Sequence, residues 1–158
     1  MEILRNRVIH LNWIEEEVEK VIKKCGTANP YEIAKAFDIT ISYHPLPKGH
    51  KGYSALHKRI RHIVLANNMT QNEMMAVLCH ELGHSFLHPG INTTFFKDIA
   101  SSSFESGVEY EANSFMFYLI SKSIDINQFP SVYSFLNYIN MPYSMEPYLE
   151  NLIEGELQ

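Results

Sequence analysis

Five residues, His80-Glu81-Leu82-Gly83-His84, constrain this chain more than any other feature. They sit in a stretch that opens with Thr70 and Glu73, the spacing of a capping box, and ends at His88-Pro89-Gly90. Apolar Val77-Leu78 and Phe86-Leu87 flank the motif, so the pattern predicts a helix to about Leu87. On a helix, imidazoles at i and i+4 share a face with Cβ atoms about 6 Å apart and reach one ion. Zinc suits two neutral imidazoles plus a carboxylate, with a fourth position left open. Glu81, about 100° round the helix from His80, is poorly placed to ligate but well placed to take a proton from water. Gly83 costs about 1 kcal/mol relative to Ala in a helix, a cost that close approach of another backbone or a substrate would explain.

A third ligand must come from elsewhere. His88 continues the i+4 series but lies about 12 Å along the axis from His80, too far to share an ion with both other histidines. It reads as a last-turn residue interacting with the helix carbonyls. The better source is Glu105-Ser106-Gly107-Val108-Glu109-Tyr110-Glu111-Ala112-Asn113, within a second helix that opens on the Ser102/Glu105 capping box and runs to about Ser121. Glu109 and Asn113 share a face there, with small Ala112 beside them for close packing. In that arrangement Glu109 binds metal and Asn113 bonds the free N–H of a ligand imidazole. Glu111 points about 200° away from Glu109, and a helix rotated differently would make it the ligand instead.

Composition fits a single soluble domain with a core of its own. The chain has 158 residues, 46% hydrophobic, with nine Phe, nine Tyr and a net charge of −5. Those values exclude a disordered chain and argue against a dedicated nucleic-acid binder. Cys25 and Cys79 are too few for a disulfide framework and suit a reducing compartment. The N-terminus has no uninterrupted apolar region, and no apolar run approaches the ~20 residues of a membrane span. The expectation is a cytoplasmic protein without membrane contact.

The remaining segments read as α+β. Asn12 with Glu15, then Ile14, Val18, Val21 and Ile22, predicts a capped amphipathic helix ending near Cys25-Gly26. Asn29-Pro30 starts a short helix to Phe37. Strands are expected at Ile39–Tyr43, Gly52–His57 and Ile60–Ala66, the last two joined by Lys58-Arg59. Residues 124–158 read as two or three short helices separated by Pro130 and Pro142. The division is a metal-binding domain over residues 1–123 and a helical extension over 124–158 packed on it.

His80-Glu81-Leu82-Gly83-His84-Ser85-Phe86-Leu87-His88, the strand-like segment before it and Glu109-Tyr110-Glu111-Ala112-Asn113 after it resemble the ImmA/IrrE family of zinc metallopeptidases. Asn29 to Ala34 and Ile39 to Ile41 are also similar to that family's opening, and the likeness spans roughly residues 10–120. The resemblance implies a zincin-like core with N-terminal helices, a small antiparallel sheet, the motif helix and a glutamate-ligand helix. It implies His80 and His84 as zinc ligands and Glu81 as the catalytic residue. A further similarity, to the ExxAD pattern of other glutamate-ligand zincins, favours Glu109 as third ligand, with Asn113 in place of the pattern's Asp. The implied activity is hydrolysis of a peptide bond in a helix-turn-helix repressor of a prophage or mobile element. By the same resemblance the strand Arg59–Ala66 edges the cleft and pairs with an extended substrate.

Other readings attach to the same residues. A zinc-dependent module that sequesters a repressor without cutting it would use the same ligands, although such a site needs no Glu81. Tyr31 to Ile39 resembles half of a DNA-binding helix pair, but the alternating segment after it offers no basic recognition helix. Tyr53, His62 and Tyr110 are candidate oxyanion donors. Lys48, Lys51, Lys58, Arg59 and Arg61 form a locally basic patch in an acidic chain, able to steer an acidic or DNA-bound partner.

Overall fold

The structure, a computed structural model, describes the backbone of residues 2–90 and 107–156 and the side chains of 13–90, 107–150 and 152. The Ser102/Glu105 capping box and the segment before it lie outside the described residues. The chain opens with helix α1 (Glu2–Cys25), then α2 (Pro30–Ala36) and strands β1 (Thr40–His44), β2 (Gly52–His57) and β3 (Ile60–Ala66). Helices α3 (Gln71–Leu87) and α4 (Gly107–Ser121) come next. A 3-10 turn at Ile126–Gln128, α5 (Val132–Tyr138), a second turn at Tyr143–Met145 and α6 (Glu146–Glu156) complete the α+β fold.

Helix α1 begins ten residues before the expected cap at Asn12. Asn in a helix costs only a few tenths of a kcal/mol beyond average residues, so a capping residue does not by itself stop a helix that continues past it. From Trp13 onward the predicted stripe holds, with Ile14, Val18 and Val21 buried at i, i+4 and i+7. The start of α2 agrees with its expected cap: the Asn29 side chain accepts from the Tyr31 and Glu32 amides, and Pro30 occupies the first turn. Helix α2 leads directly into strand β1, so no second helix of a DNA-binding pair forms there.

The sheet is mixed, in the order β1-β3-β2, rather than wholly antiparallel. β2 and β3 form the expected antiparallel hairpin, with Ser54 opposite Ile63. β1 joins the other side of β3 in parallel, with Thr40 opposite His62 and His44 opposite Ala66. The segment with Pro45 and Pro47 carries the chain from β1 to β2, and β3 then inserts between them. The position of β3 agrees with its residues: Ile63-Val64-Leu65-Ala66 is buried throughout, as a central strand should be. Both of its edges are occupied by β1 and β2, so β3 does not edge a cleft or accept a substrate strand.

Helix α3 lies between the sheet and α4. Thr70 caps it by accepting from the Glu73 amide. Gly52 lets β2 settle onto it, since a Cβ there would stand 3.1 Å from Val77 Cγ1 and 3.0 Å from the Val64 carbonyl. The core runs continuously from Ile14 and Val18 through Leu78, Leu82, Phe115 and Leu119 to Phe135, Met145 and Leu149.

Candidate metal centre

Helix α3 presents two working faces. Val77, Glu81 and Ser85, spaced by four, make the stripe toward β2: Val77 abuts Gly52, and Ser85 Oγ lies 3.3 Å from Ser54 Oγ. His80, Gly83 and His84 make the stripe toward α4. A Cβ on Gly83 would stand 3.0 Å from the Ala112 carbonyl oxygen and 3.1 Å from both Ala112 Cα and Phe115 Cβ. Gly83 is therefore the point at which the backbone of α4 approaches α3. The two helices repeat one pattern: His80, Gly83 and His84 on α3 face Glu109, Ala112 and Asn113 on α4. Each carries polar groups at i and i+4 and a small residue at i+3.

That contact brings three donors together. His80 Nε2 and His84 Nε2 lie 3.1 Å apart, with the rings edge to face. Glu109 Oε1 is 3.1 Å from His84 Nε2, and Glu109 Oε2 is 3.4 Å from His80 Nε2. All three residues are buried, and one donor atom from each lies within 4.8 Å of the others. Two imidazoles and a carboxylate aimed at one point are a donor set that suits a divalent transition metal.

Electrostatics agree with a cation-seeking site. Burial works against charge on His80, but its hydrogen bond to Glu109, the charges of Glu81 and Glu109, and Asn113 hold its pKa above the ordinary imidazole value. His84 moves the other way: burial, with His80 and His88 adding to it, pulls it down to about 4 despite Glu109. Burial alone would raise Glu109, yet hydrogen bonds from His80 and His84 hold its carboxyl at about 2. The cluster keeps a buried carboxylate ionised and draws positive charge to it.

The remaining candidates are placed elsewhere. Glu111 turns away from Glu109 and meets His88, with Oε2 2.6 Å from His88 Nε2. The His88 side chain thus bridges α3 to α4 instead of interacting with helix carbonyls. An arginine serves the end of α3: Arg61, buried on β3, donates to the Pro89 carbonyl and to Ser54 Oγ. Arg61 therefore leaves the basic patch, as does Lys51, whose Nζ lies 2.8 Å from Glu73 Oε1. Tyr53 and His62 alternate onto the sheet face opposite Ser54 and Ile63, away from α3. Tyr110 packs its ring 5.3 Å from that of Tyr148. Cys79 is buried beside Met75, and burial pushes its thiol pKa up.

One residue near the centre carries no signal in the sequence. Tyr148, on α6, receives a hydrogen bond from Asn113 Nδ2 at 3.2 Å. It lies 35 residues from Asn113, and no local spacing joins them.

Comparison with known proteins agrees with this geometry. The model of a peptidase family, described as the IrrE N-terminal-like domain, matches residues 34–133. The chain is 36% identical over 116 residues to "Uncharacterized immunity region protein 2" of Bacillus phage phi105, covering 73% of each chain. It is 30% identical over 142 residues to "Metallopeptidase ImmA" of Bacillus subtilis (strain 168), covering 85% of this chain and 82% of that protein. The matched span contains the whole of α3 and α4 and hence every donor described above, and the chain belongs to the IrrE N-terminal-like family as a metallopeptidase of the ImmA type.

Proposed function

We propose that this protein is a zinc-dependent endopeptidase in which His80, His84 and Glu109 hold the ion and Glu81 is the catalytic residue. The observation that carries this reading is the buried convergence of the three donors, with Glu81 on the neighbouring stripe of the same helix. When bound, zinc supplies Lewis acidity, which polarises a carbonyl and lowers the pKa of water toward ~7. Glu81 takes a proton from the attacking water on its carboxylate and returns it to the leaving amine. In this reading Asn113, next to His80, accepts from the free ring N–H of that imidazole when Nε2 is given to the ion. The His88–Glu111 pair ties α3 to α4 one turn beyond the donors.

The substrate in this reading is a helix-turn-helix repressor of a prophage or mobile element. Its support is the immunity-region name of the phage relative and the ImmA name of the bacterial one. The protein acts in the cytoplasm on a protein partner, without binding nucleic acid or membrane itself. No described helix is long and apolar enough to cross a membrane. Residues 1–123 form the metallopeptidase unit and 124–158 an extension packed on it, in keeping with Phe135, Met145 and Leu149 sharing the core of α3 and α4.

The test is cleavage of the repressor carried by the same element, monitored by gel and mass spectrometry with zinc-loaded protein. Glu81→Gln is expected to retain zinc and fold while losing roughly 10²–10⁴-fold in rate, the usual worth of a positioned base. Cleavage by Glu81→Gln at the wild-type rate would remove Glu81 from the mechanism. A repressor that is bound but never cut would make the protein a sequestering module.

A further inference from the structure

We infer that Tyr148, on α6 and outside the span matched by the family model, is a positioning residue for the metal centre that acts through Asn113. The inference rests on the reading of His80, His84 and Glu109 as metal donors. An imidazole that gives Nε2 to a metal carries its proton on Nδ1, and that N–H needs an acceptor. Asn113 stands beside His80 on the facing helix and is fully buried. Its amide offers one acceptor, Oδ1, and one donor group, Nδ2. Were the amide turned over, two donors would confront each other at His80. The His80 N–H therefore selects the orientation with Nδ2 on the far side, where that group needs an acceptor of its own.

Tyr148 is that acceptor. Its hydroxyl oxygen accepts from Asn113 Nδ2 at 3.2 Å, so Oδ1 is left for the imidazole. Among the described residues Asn113 Oδ1 is buried without a hydrogen bond of regular geometry, so it is the acceptor the scheme needs. The phenol is itself fixed. Tyr148 is 4% exposed, stacked at 5.7 Å on Phe117 and in contact with Tyr110 at 5.3 Å. A rigid ring holds an amide by one hydrogen bond, and the amide orients one ligand. Helix α6 thereby becomes part of the metal centre.

The test is zinc affinity, measured by chelator competition on the full chain, with the visible absorption of the cobalt-loaded protein as a second readout. Tyr148→Phe removes one oxygen and keeps the ring packing. Substituting a ligand's direct hydrogen-bond partner typically costs 10–100-fold in metal affinity, and one step further out we expect about 3–10-fold, with a perturbed cobalt spectrum. In an Asn113→Ala background, which already lacks the amide, Tyr148→Phe is expected to add nothing. Equal losses in both backgrounds would show that Tyr148 acts by packing alone, and wild-type affinity in Tyr148→Phe would show that it does not act at all. Either result overturns the inference while leaving the donors in place. Absence of zinc binding by the wild type would instead remove the reading beneath it. If Tyr148→Phe fails to fold by circular dichroism, 3-fluorotyrosine at position 148, a weaker acceptor, is expected to weaken binding in the same direction. Unchanged affinity there would overturn the inference equally.

Discussion

Helix α3 has a buried polar cluster at each end of its buried stretch, and the two are built on opposite terms. Near its N-terminus Glu73 is 5% exposed, and each of its oxygens has its own donor: Lys51 Nζ at 2.8 Å and Asn140 Nδ2 at 2.8 Å. Two turns on, His80, His84 and Glu109 point their donor atoms at one another, with two imidazole nitrogens 3.1 Å apart. The first cluster is closed by the protein and joins the loop before β2, α3 and the turn after α5. The second is made of atoms that suit a cation better than they suit each other. Burial is common to both, so burial of charge alone does not mark a functional site. The difference is whether the protein completes the coordination itself.

The comparison breaks most sharply at Gly83. Replacing Gly by Ala in an exposed helix gains about 1 kcal/mol, but here even a Cβ meets the backbone of Ala112 at 3.0–3.1 Å. Strain against backbone outweighs propensity, and Gly83→Val must push α4 away from α3. We expect a loss of about 1–3 kcal/mol in stability by chemical denaturation. Zinc affinity should also fall at least about tenfold, because Glu109 moves with α4. Unchanged zinc affinity would show that the helix contact does not set the donor geometry.

The closed cluster should respond differently. Lys51→Met leaves the Glu73 carboxylate buried with Asn140 alone. Removing one partner of a fully buried pair costs about 3–5 kcal/mol, and because Lys51 is about one-fifth exposed we expect about 1–3. Zinc stoichiometry and affinity should not change. A matching loss of zinc would mean that the two ends of α3 are coupled and that the distinction drawn between them is wrong.

Much of the half that carries the three converging side chains is legible in the sequence because helical geometry is rigid. Once α3 and α4 are helices, spacing alone puts His80 with His84 and turns Glu111 away from Glu109. The order of the strands is not legible, because alternation within a strand says nothing about which neighbour it takes. Only the unbroken run Ile63-Val64-Leu65-Ala66 signals that β3 is central, and the alternation of the hairpin masks it. Long-range partners are hidden for a similar reason. Lys51 and Arg61 look like surface cations because their acceptors, Glu73 and the Pro89 carbonyl, lie 22 and 28 positions away. Tyr148 belongs to the same class.

The central claim is that the contact of α3 with α4 makes one metal site from His80, His84 and Glu109. Elemental analysis after zinc loading and desalting tests it most directly, on the wild type, His80→Ala, Glu109→Ala and Glu111→Ala in parallel. About one zinc per chain in the wild type and in Glu111→Ala, lost in His80→Ala and Glu109→Ala, is the predicted result. Zinc retained by Glu109→Ala and lost from Glu111→Ala, or no zinc held by the wild type, would contradict it.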